Sequence, residues 1–231
     1  MAFNIDLVQH RKKLEQSGYL HLEKTLSDDF VQSLKFYGSQ ITVNKLDEIA
    51  EWHIPGKKRQ YLYDFATQKF FDSFRKGLSG IIGKPAEEIV ISERHIKVYL
   101  SEAADFPAPH KDRHATEYTI GFPIHIPTDS RVCFFPFLSR EENTEQRAVY
   151  AEMPDGTEME HFYTDERIVK VKGDVGDMFI FHGSTVFHER IMSSGSMILY
   201  IKVNTASRDP LREHASLMDG FRKQSKVLEL A

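Results

Sequence analysis

His110-Lys111-Asp112 and, further on, the run from Gly176 to His188 hold the residues of this chain best suited to chemistry. Two imidazoles and one carboxylate can hold an iron(II) on one face and leave its other positions open for a cofactor and O2. That set points to an oxidative enzyme. The H-x-[D/E] spacing decides little by itself, because 11 His and 34 acidic residues in 231 positions give about 1.6 chance occurrences. The chain holds two, His21-Leu22-Glu23 and His110-Lys111-Asp112, and their contexts separate them. His110 follows an alternating apolar stretch, Ile96 to Leu100, and the turn-like Phe106-Pro107-Ala108-Pro109, and it precedes a second apolar stretch, Tyr118 to Ile126. This places it at a strand end facing a barrel interior. His21 stands shortly before Ser27-Asp28-Asp29, which reads as a helix cap, and is expected at the surface.

The elements that must position these residues form one β-rich body behind a helical front. Residues 6 to 16 and 27 to 37 read as helices, with Gly18 to Leu22 as a short strand between them. Thr67 to Ile82 carries apolar residues at Phe70, Phe71, Phe74, Leu78, Ile81 and Ile82, a helical spacing suited to packing on a sheet, and Lys84-Pro85 ends it. From Ile89 the pattern changes to short alternating runs: 89 to 92, 95 to 100, 118 to 126, 131 to 137, 148 to 153, 159 to 163, 167 to 172, 178 to 182, 185 to 188 and 197 to 204. Residues 139 to 166 are long and acidic, interrupted by the turn Pro154-Asp155-Gly156, and could be a lid or a surface insertion. Residues 205 to 231 are polar, a C-terminal helix or a loose tail. The expected organisation is a single domain over 1–231, with a helical part to about residue 88, a β core from about 89 to 204 and a tail from 205.

Length and composition fit one enzyme domain able to bury a sizeable core. A net charge of -4 and a pI near 6.3 leave no basic footprint for nucleic acid, so the expected partner is a small molecule. The single cysteine, Cys133, excludes an internal disulfide and suggests a reducing compartment. In the apolar run Val132 to Phe135 it reads as a core residue rather than a nucleophile. No apolar stretch is long enough for a membrane span, and Met1 to Leu22 is charged where a signal peptide needs an apolar core. A cytoplasmic protein with no membrane partner is expected.

The stretch from Leu14 to Ser27 resembles the start of phytanoyl-CoA dioxygenase-like proteins, where a helix, a Gly-aromatic strand and a second helix precede a barrel. The Gly176-Asp177 turn, with Asp177 eleven residues before His188, is similar to that family's approach to its distal metal histidine. Arg131 to Ser139 loosely resembles the strand and loop that often carry a Pro-Gly-Ser-His run, here without the glycine and the histidine. The resemblance spans residues 14 to 204. It implies a mainly β double-stranded β-helix (jelly-roll, cupin-like) core with flanking helices. It also implies an iron(II)/2-oxoglutarate-dependent dioxygenase that consumes O2, with ascorbate as the reductant in vitro, and that converts 2-oxoglutarate to succinate and CO2 as it hydroxylates a substrate. Related halogenases replace the metal carboxylate with a small residue, so Asp112 implies hydroxylation, desaturation or ring formation.

Within the resemblance, His110, Asp112 and His188 take the metal and catalytic positions. His182 competes for the third. It lies on the apolar run Met178 to Phe181, whereas His188 occupies the family's position at a strand end; His188 is favoured, with His182 as a core histidine or one that orients a ligand. In this family an arginine about ten residues beyond the distal histidine grips the far carboxylate of 2-oxoglutarate with two parallel hydrogen bonds. Here that stretch is Ser196-Met197-Ile198-Leu199, with no basic residue. If residues 197 to 204 alternate, Ile198, Tyr200, Lys202 and Asn204 share a face, and Lys202 becomes the first candidate anchor. Arg190, two residues past His188, ranks next, or is a solvent-facing loop arginine. Tyr99 resembles an oxygenase tyrosine that bonds the cofactor carboxylate, or is an ordinary strand aromatic, and Lys97 and Arg131 follow. Two other readings stay open: a metal-dependent β-barrel enzyme that does not use 2-oxoglutarate, and a catalytically degenerate binding protein on the same fold.

Overall fold

Two antiparallel sheets face each other, and strand alternation decides which side chains meet between them. A computed structural model describes residues 1–50, 53–54 and 56–229, with the backbone alone for 225–229. The larger sheet is built from β1 (Tyr19–Leu22), β2 (Lys58–Leu62), β3 (Val90–Tyr99), β5 (Tyr118–His125), β9 (Met178–Phe181) and β11 (Met197–Asn204), in the order β1-β9-β5-β11-β3-β2. The smaller comprises β4 (His110–Lys111), β6 (Arg131–Phe134), β7 (Val149–Tyr150), β8 (Val169–Val171) and β10 (His188–Ile191), in the order β7-β4-β10-β6-β8. The expected jelly-roll, flanked by helices, is the architecture found.

The helices cover one face of the larger sheet. Helix α1 (Arg11–Ser17) stops at Gly18, whose φ of 80° is the left-handed turn a side chain would resist. In α2 (Asp28–Thr42) the Ser27 hydroxyl accepts from the Phe30 amide, and Asp28 and Asp29 sit at the positive end of the helix dipole. Helix α3 (Gln68–Ile82) is capped by Thr67 and buries Phe71, Phe74, Leu78, Ile81 and Ile82. It ends at Gly83, also left-handed, ahead of the expected Lys84-Pro85 stop. Phe30, Leu34, Phe71 and Phe74 join Ile91, Ile120, Phe122, Leu199 and Ile201 in the main core. Fully burying each such side chain is worth about 1.5–3 kcal/mol. The opposite face of the larger sheet turns Phe179 and Phe181 toward Val132 and Phe134 of the smaller sheet, and beside this second core the sheets leave a cavity. Cys133 is buried and unpaired, and burial pushes its thiol up to about 12, as suits a core residue.

Several elements differ from the sequence reading. The runs 89–92 and 95–100 form one strand, β3, because the charged pair between them is buried and neutralised. Arg94 bonds to Tyr63 and Asp64, and Glu93 pairs with Arg113 at 2.7 Å. Residues 159 to 163, expected as a strand, contain the helical turn α4 (Met159–Phe162), since a few alternating residues fit either period. The expected strand 185–188 is absent, and His188 instead begins β10. Strand β2 was not expected. The tail folds as α5 (Glu213–Glu229), whose Glu213 bonds His95 on β3 at 2.6 Å. Among the described residues no helix is long and apolar enough to cross a membrane.

Candidate metal centre and adjoining cavity

Antiparallel pairing of β10 with β4 sets His188 directly opposite His110, and their ring centroids lie 4.6 Å apart. Asp112, just past the end of β4, completes the cluster: one ligand atom from each of the three residues lies within 4.8 Å of the others. Nε2 of His188 is 3.6 Å from Asp112 Oδ2 and Nε2 of His110 is 3.9 Å from Asp112 Oδ1. His182 is not part of this cluster. Its ring packs against Tyr118 at 4.7 Å and burial lowers its pKa. His21 is half-buried rather than at the surface, with Nε2 2.8 Å from Asp177 Oδ2 and its ring against Phe179.

The outer partners fix the ligand atoms. His188 Nδ1 donates to the Val186 carbonyl at 2.9 Å, which leaves the Nε2 lone pair toward Asp112. Burial, then the neighbouring His110, pushes His188 down to about 4, so it is neutral near pH 7, as a metal ligand must be. His110 Nδ1 donates to Glu189 Oε2 at 3.2 Å. Burial opposes ionisation of Glu189, but His110 and Lys57 outweigh it and hold the carboxylate charged. Asp112 is gripped at every polar atom. Oδ1 accepts from Lys202 Nζ at 2.7 Å and Oδ2 from Thr119 Oγ1 at 2.6 Å. Its amide donates to the Gly183 carbonyl and its own carbonyl accepts from Asn143 Nδ2, both at 2.8 Å. Burial raises the Asp112 pKa, yet Lys202, His188 and His110 bring it far below the usual carboxylate range. The donor set therefore suits a divalent metal: two imidazoles with oriented Nε2 atoms and one carboxylate, each held by an outer partner.

Gly183 closes in on this carboxylate. A Cβ there would lie 2.6 Å from Thr119 Oγ1 and 2.8 Å from Asp112 Oδ2, too close for either to stay in place. Gly183→Ala should displace Asp112 and weaken iron(II) binding by about 10–100-fold, the range typical of lost outer-partner support; a metal titration checks this, with circular dichroism to confirm that the fold is kept.

The inner cavity runs from the triad to Arg190, Tyr99 and Tyr200 and is lined also by Lys97, Lys58 and Lys202. The structure separates the candidate anchors by what already holds them. Lys202 faces inward as expected, but its amino group is engaged by Asp112 and, at 3.2 Å, by Glu93 Oε2. Arg190 is buried rather than solvent-facing, 2% exposed. Its Nη1 donates to Ser130 Oγ at 3.1 Å and its Nε to Tyr200 Oη at 3.5 Å, while Nη2 is buried with no partner among the described residues. Tyr99 lies buried beside Tyr200. Arg131 turns away, its Nη1 donating to the carbonyls of Thr128 and Ser130. Ile198, in the stretch Ser196 to Leu199 where the resemblance implies an arginine, is fully buried in an apolar patch with Tyr99 and Ala103.

Sequence reasoning missed Glu189, Thr119, Gly183, Ser130 and Lys58. Adjacency to His188 was a usable signal for Glu189, since a ligand histidine needs an acceptor for its second nitrogen. Nothing local marked the others, whose roles depend on contacts across the sheets. The acidic segment 139 to 166 contributes β7, which pairs with β4 and sets Tyr150 opposite His110; the two rings are 5.7 Å apart.

No family model and no curated protein matches this chain. Solved structures do resemble it. The non-heme alpha-ketoglutarate-dependent epimerase SnoN of nogalamycin biosynthesis matches at 14% identity over 85% of this chain and 80% of its own, with a TM-score of 0.54. A Pseudomonas putida prolyl-4-hydroxylase matches at 12% identity over 86% and 98%, TM-score 0.51. HygX of Streptomyces hygroscopicus, solved with nickel, 2-oxoglutarate and hygromycin B, matches at 10% identity over 87% of both chains, TM-score 0.54. At these identities the likeness shows the fold, a jelly-roll double-stranded β-helix.

Proposed function

We propose that this protein is an iron(II)- and 2-oxoglutarate-dependent dioxygenase that hydroxylates a small molecule. One observation carries the reading: the free Nε2 atoms of His110 and His188 converge with Asp112 at one end of a cavity whose other end holds a buried arginine with an unpartnered nitrogen. Structural neighbours that carry iron or nickel together with 2-oxoglutarate support it. Support for a phytanoyl-CoA dioxygenase-like branch comes from the order α1, β1, α2 ahead of the core.

Iron(II) held by His110, Asp112 and His188 would supply, with 2-oxoglutarate and O2, the oxidising power that exchanges a substrate C–H bond for C–OH while 2-oxoglutarate becomes succinate and CO2. The chain does the rest. Glu189 and the Val186 carbonyl hold the imidazole tautomers, and Lys202 and Thr119 hold the Asp112 carboxylate. Arg190 offers Nη2 to the far carboxylate of 2-oxoglutarate, with the Tyr200 and Tyr99 hydroxyls beside it. It lies two residues from His188 on the same strand, about 6.6 Å along it, a separation suited to a five-carbon diacid. Val132 and Phe181 form an apolar wall that keeps water from the reacting face. An outer chamber of about 360 Å³ opens beyond His110 and Asp112, within the range of small-molecule sites.

The test is aerobic turnover. Purified protein with iron(II), ascorbate and 2-oxoglutarate should form succinate slowly without substrate, and Asp112→Ala protein should form none. Equal succinate formation by the two proteins would reject the reading.

A further inference from the structure

The outer chamber is lined by more cations than anions: Lys57, Lys58, Lys97, Arg113 and Lys202 against Glu93 and Asp112. Three of the five cations are already paired. Lys57 lies 3.3 Å from Glu189, Arg113 lies 2.7 Å from Glu93, and Lys202 bridges Asp112 and Glu93. Lys58 and Lys97 make no ion pair among the described residues. Each ammonium instead lies near an aromatic ring, Lys97 at 5.2 Å from Tyr200 and Lys58 at 5.7 Å from Tyr99. Lys97 is only 8% exposed, and a ring face replaces little of the hydration that a buried ammonium loses. Burial, then the charge of Lys202, pushes Lys97 down to about 8; burial, then Lys97, pushes Lys58 well below the ordinary lysine value. The charges of iron(II) and of the 2-oxoglutarate dianion cancel, and Arg190 serves the cofactor's far carboxylate, so these two lysines are left facing the chamber without an anionic partner among the described residues.

We propose that the substrate is a small-molecule acid whose carboxylate or phosphate is held between Lys58 and Lys97, with the carbon to be oxidised lying beyond it toward His110 and Asp112. This rests on the 2-oxoglutarate reading of the site. The two lysines come from neighbouring strands, with Lys58 on β2 opposite Tyr99 and Lys97 two residues earlier on β3. They form a two-point clamp at the junction between the inner cavity and the outer chamber, and both line each space. Two ammonium groups on flexible stems suit a carboxylate or a phosphate alike, so the choice between these groups falls to experiment.

The probes are phenylacetate with phenylacetamide, and phenyl phosphate with phenyl sulfamate, each an acid and a neutral mate of similar shape. They are titrated anaerobically into protein saturated with iron(II) and 2-oxoglutarate, and the change in the visible metal-to-ligand absorbance is followed. The expected result is at least about tenfold tighter binding of an acid than of its mate, with that advantage largely lost in Lys58→Met and Lys97→Met and retained in Lys97→Arg. The pair with the larger advantage identifies the acidic group. Equal binding of acids and mates, or an advantage undiminished in both Met variants, would overturn the proposal. A Lys97→Met protein that loses more affinity for 2-oxoglutarate than for the acid probes would also overturn it, by assigning that lysine to the cofactor. If wild-type protein shows no absorbance change on adding 2-oxoglutarate, the cofactor reading itself is wrong and the inference goes with it.

Discussion

Iron(II) affinity should fall by at least about 100-fold when His188 is replaced by alanine, the upper end of what losing even an outer partner costs, and turnover should fall with it. His188 is the cleanest ligand to remove. It is neutral near pH 7 because burial and His110 push it down to about 4, so its loss leaves no uncompensated charge behind. Asp112→Ala is less clean, because it takes one of the two carboxylates from the buried Lys202, and breaking a buried pair costs about 3–5 kcal/mol in stability. The control is His182→Ala, which removes a ring packed on Tyr118 outside the cluster and should keep full iron stoichiometry. Calorimetric iron titration of the two variants, with thermal melts beside it, separates a lost ligand from a lost fold. Full iron content in His188→Ala protein would transfer the third position to another residue.

The second large effect concerns the cofactor's far carboxylate. Arg190→Met should raise the dissociation constant of 2-oxoglutarate by at least about tenfold, or roughly 1.4 kcal/mol, while iron(II) binding is largely kept. The reason is the buried guanidinium, which bonds Ser130 and Tyr200 and still has Nη2 to offer. In Arg190→Met the far carboxylate of 2-oxoglutarate would be buried without a charged partner, and an uncompensated buried charge is costly. Lys202→Met should weaken 2-oxoglutarate binding less, since that ammonium is already held by Asp112 and Glu93. Its main effect should fall on the metal, through a loosened Asp112. Anaerobic absorbance titration of both variants checks the order. If Lys202→Met lost the larger share of cofactor affinity, the ranking taken from strand alternation would stand and Arg190 would be a structural arginine.

The cluster of His110, Asp112 and His188 was legible in part. His110-Lys111-Asp112 lies between two alternating apolar stretches, and the resemblance, through the spacing from Gly176-Asp177, implied His188 as its companion. Alternation along residues 197 to 204 also correctly placed Tyr200 and Lys202 on the inner face. It could not show that Glu93, on the neighbouring strand β3, stands opposite Lys202 and shares its charge. Charge hid structure in two other places. Glu93-Arg94 looked like a break between strands because buried ionic residues are rare without partners, and their partners, Arg113, Tyr63 and Asp64, are distant in sequence. Lys58-Arg59-Gln60-Tyr61-Leu62 lacks an apolar period because its inward positions carry polar groups for the cavity, so β2 and its lysine went unseen. Two of the residues that blurred the pattern, Glu93 and Lys58, also line the chamber.

The most direct measurement is a two-step anaerobic titration of the purified protein, first with iron(II) and then with 2-oxoglutarate. One iron(II) per chain is expected, followed by a visible metal-to-ligand absorbance band that grows with 2-oxoglutarate, saturates at one equivalent and is absent in His188→Ala protein. Stoichiometric iron binding with no band at any 2-oxoglutarate concentration would contradict it, and would leave a metal enzyme that does not use this cofactor.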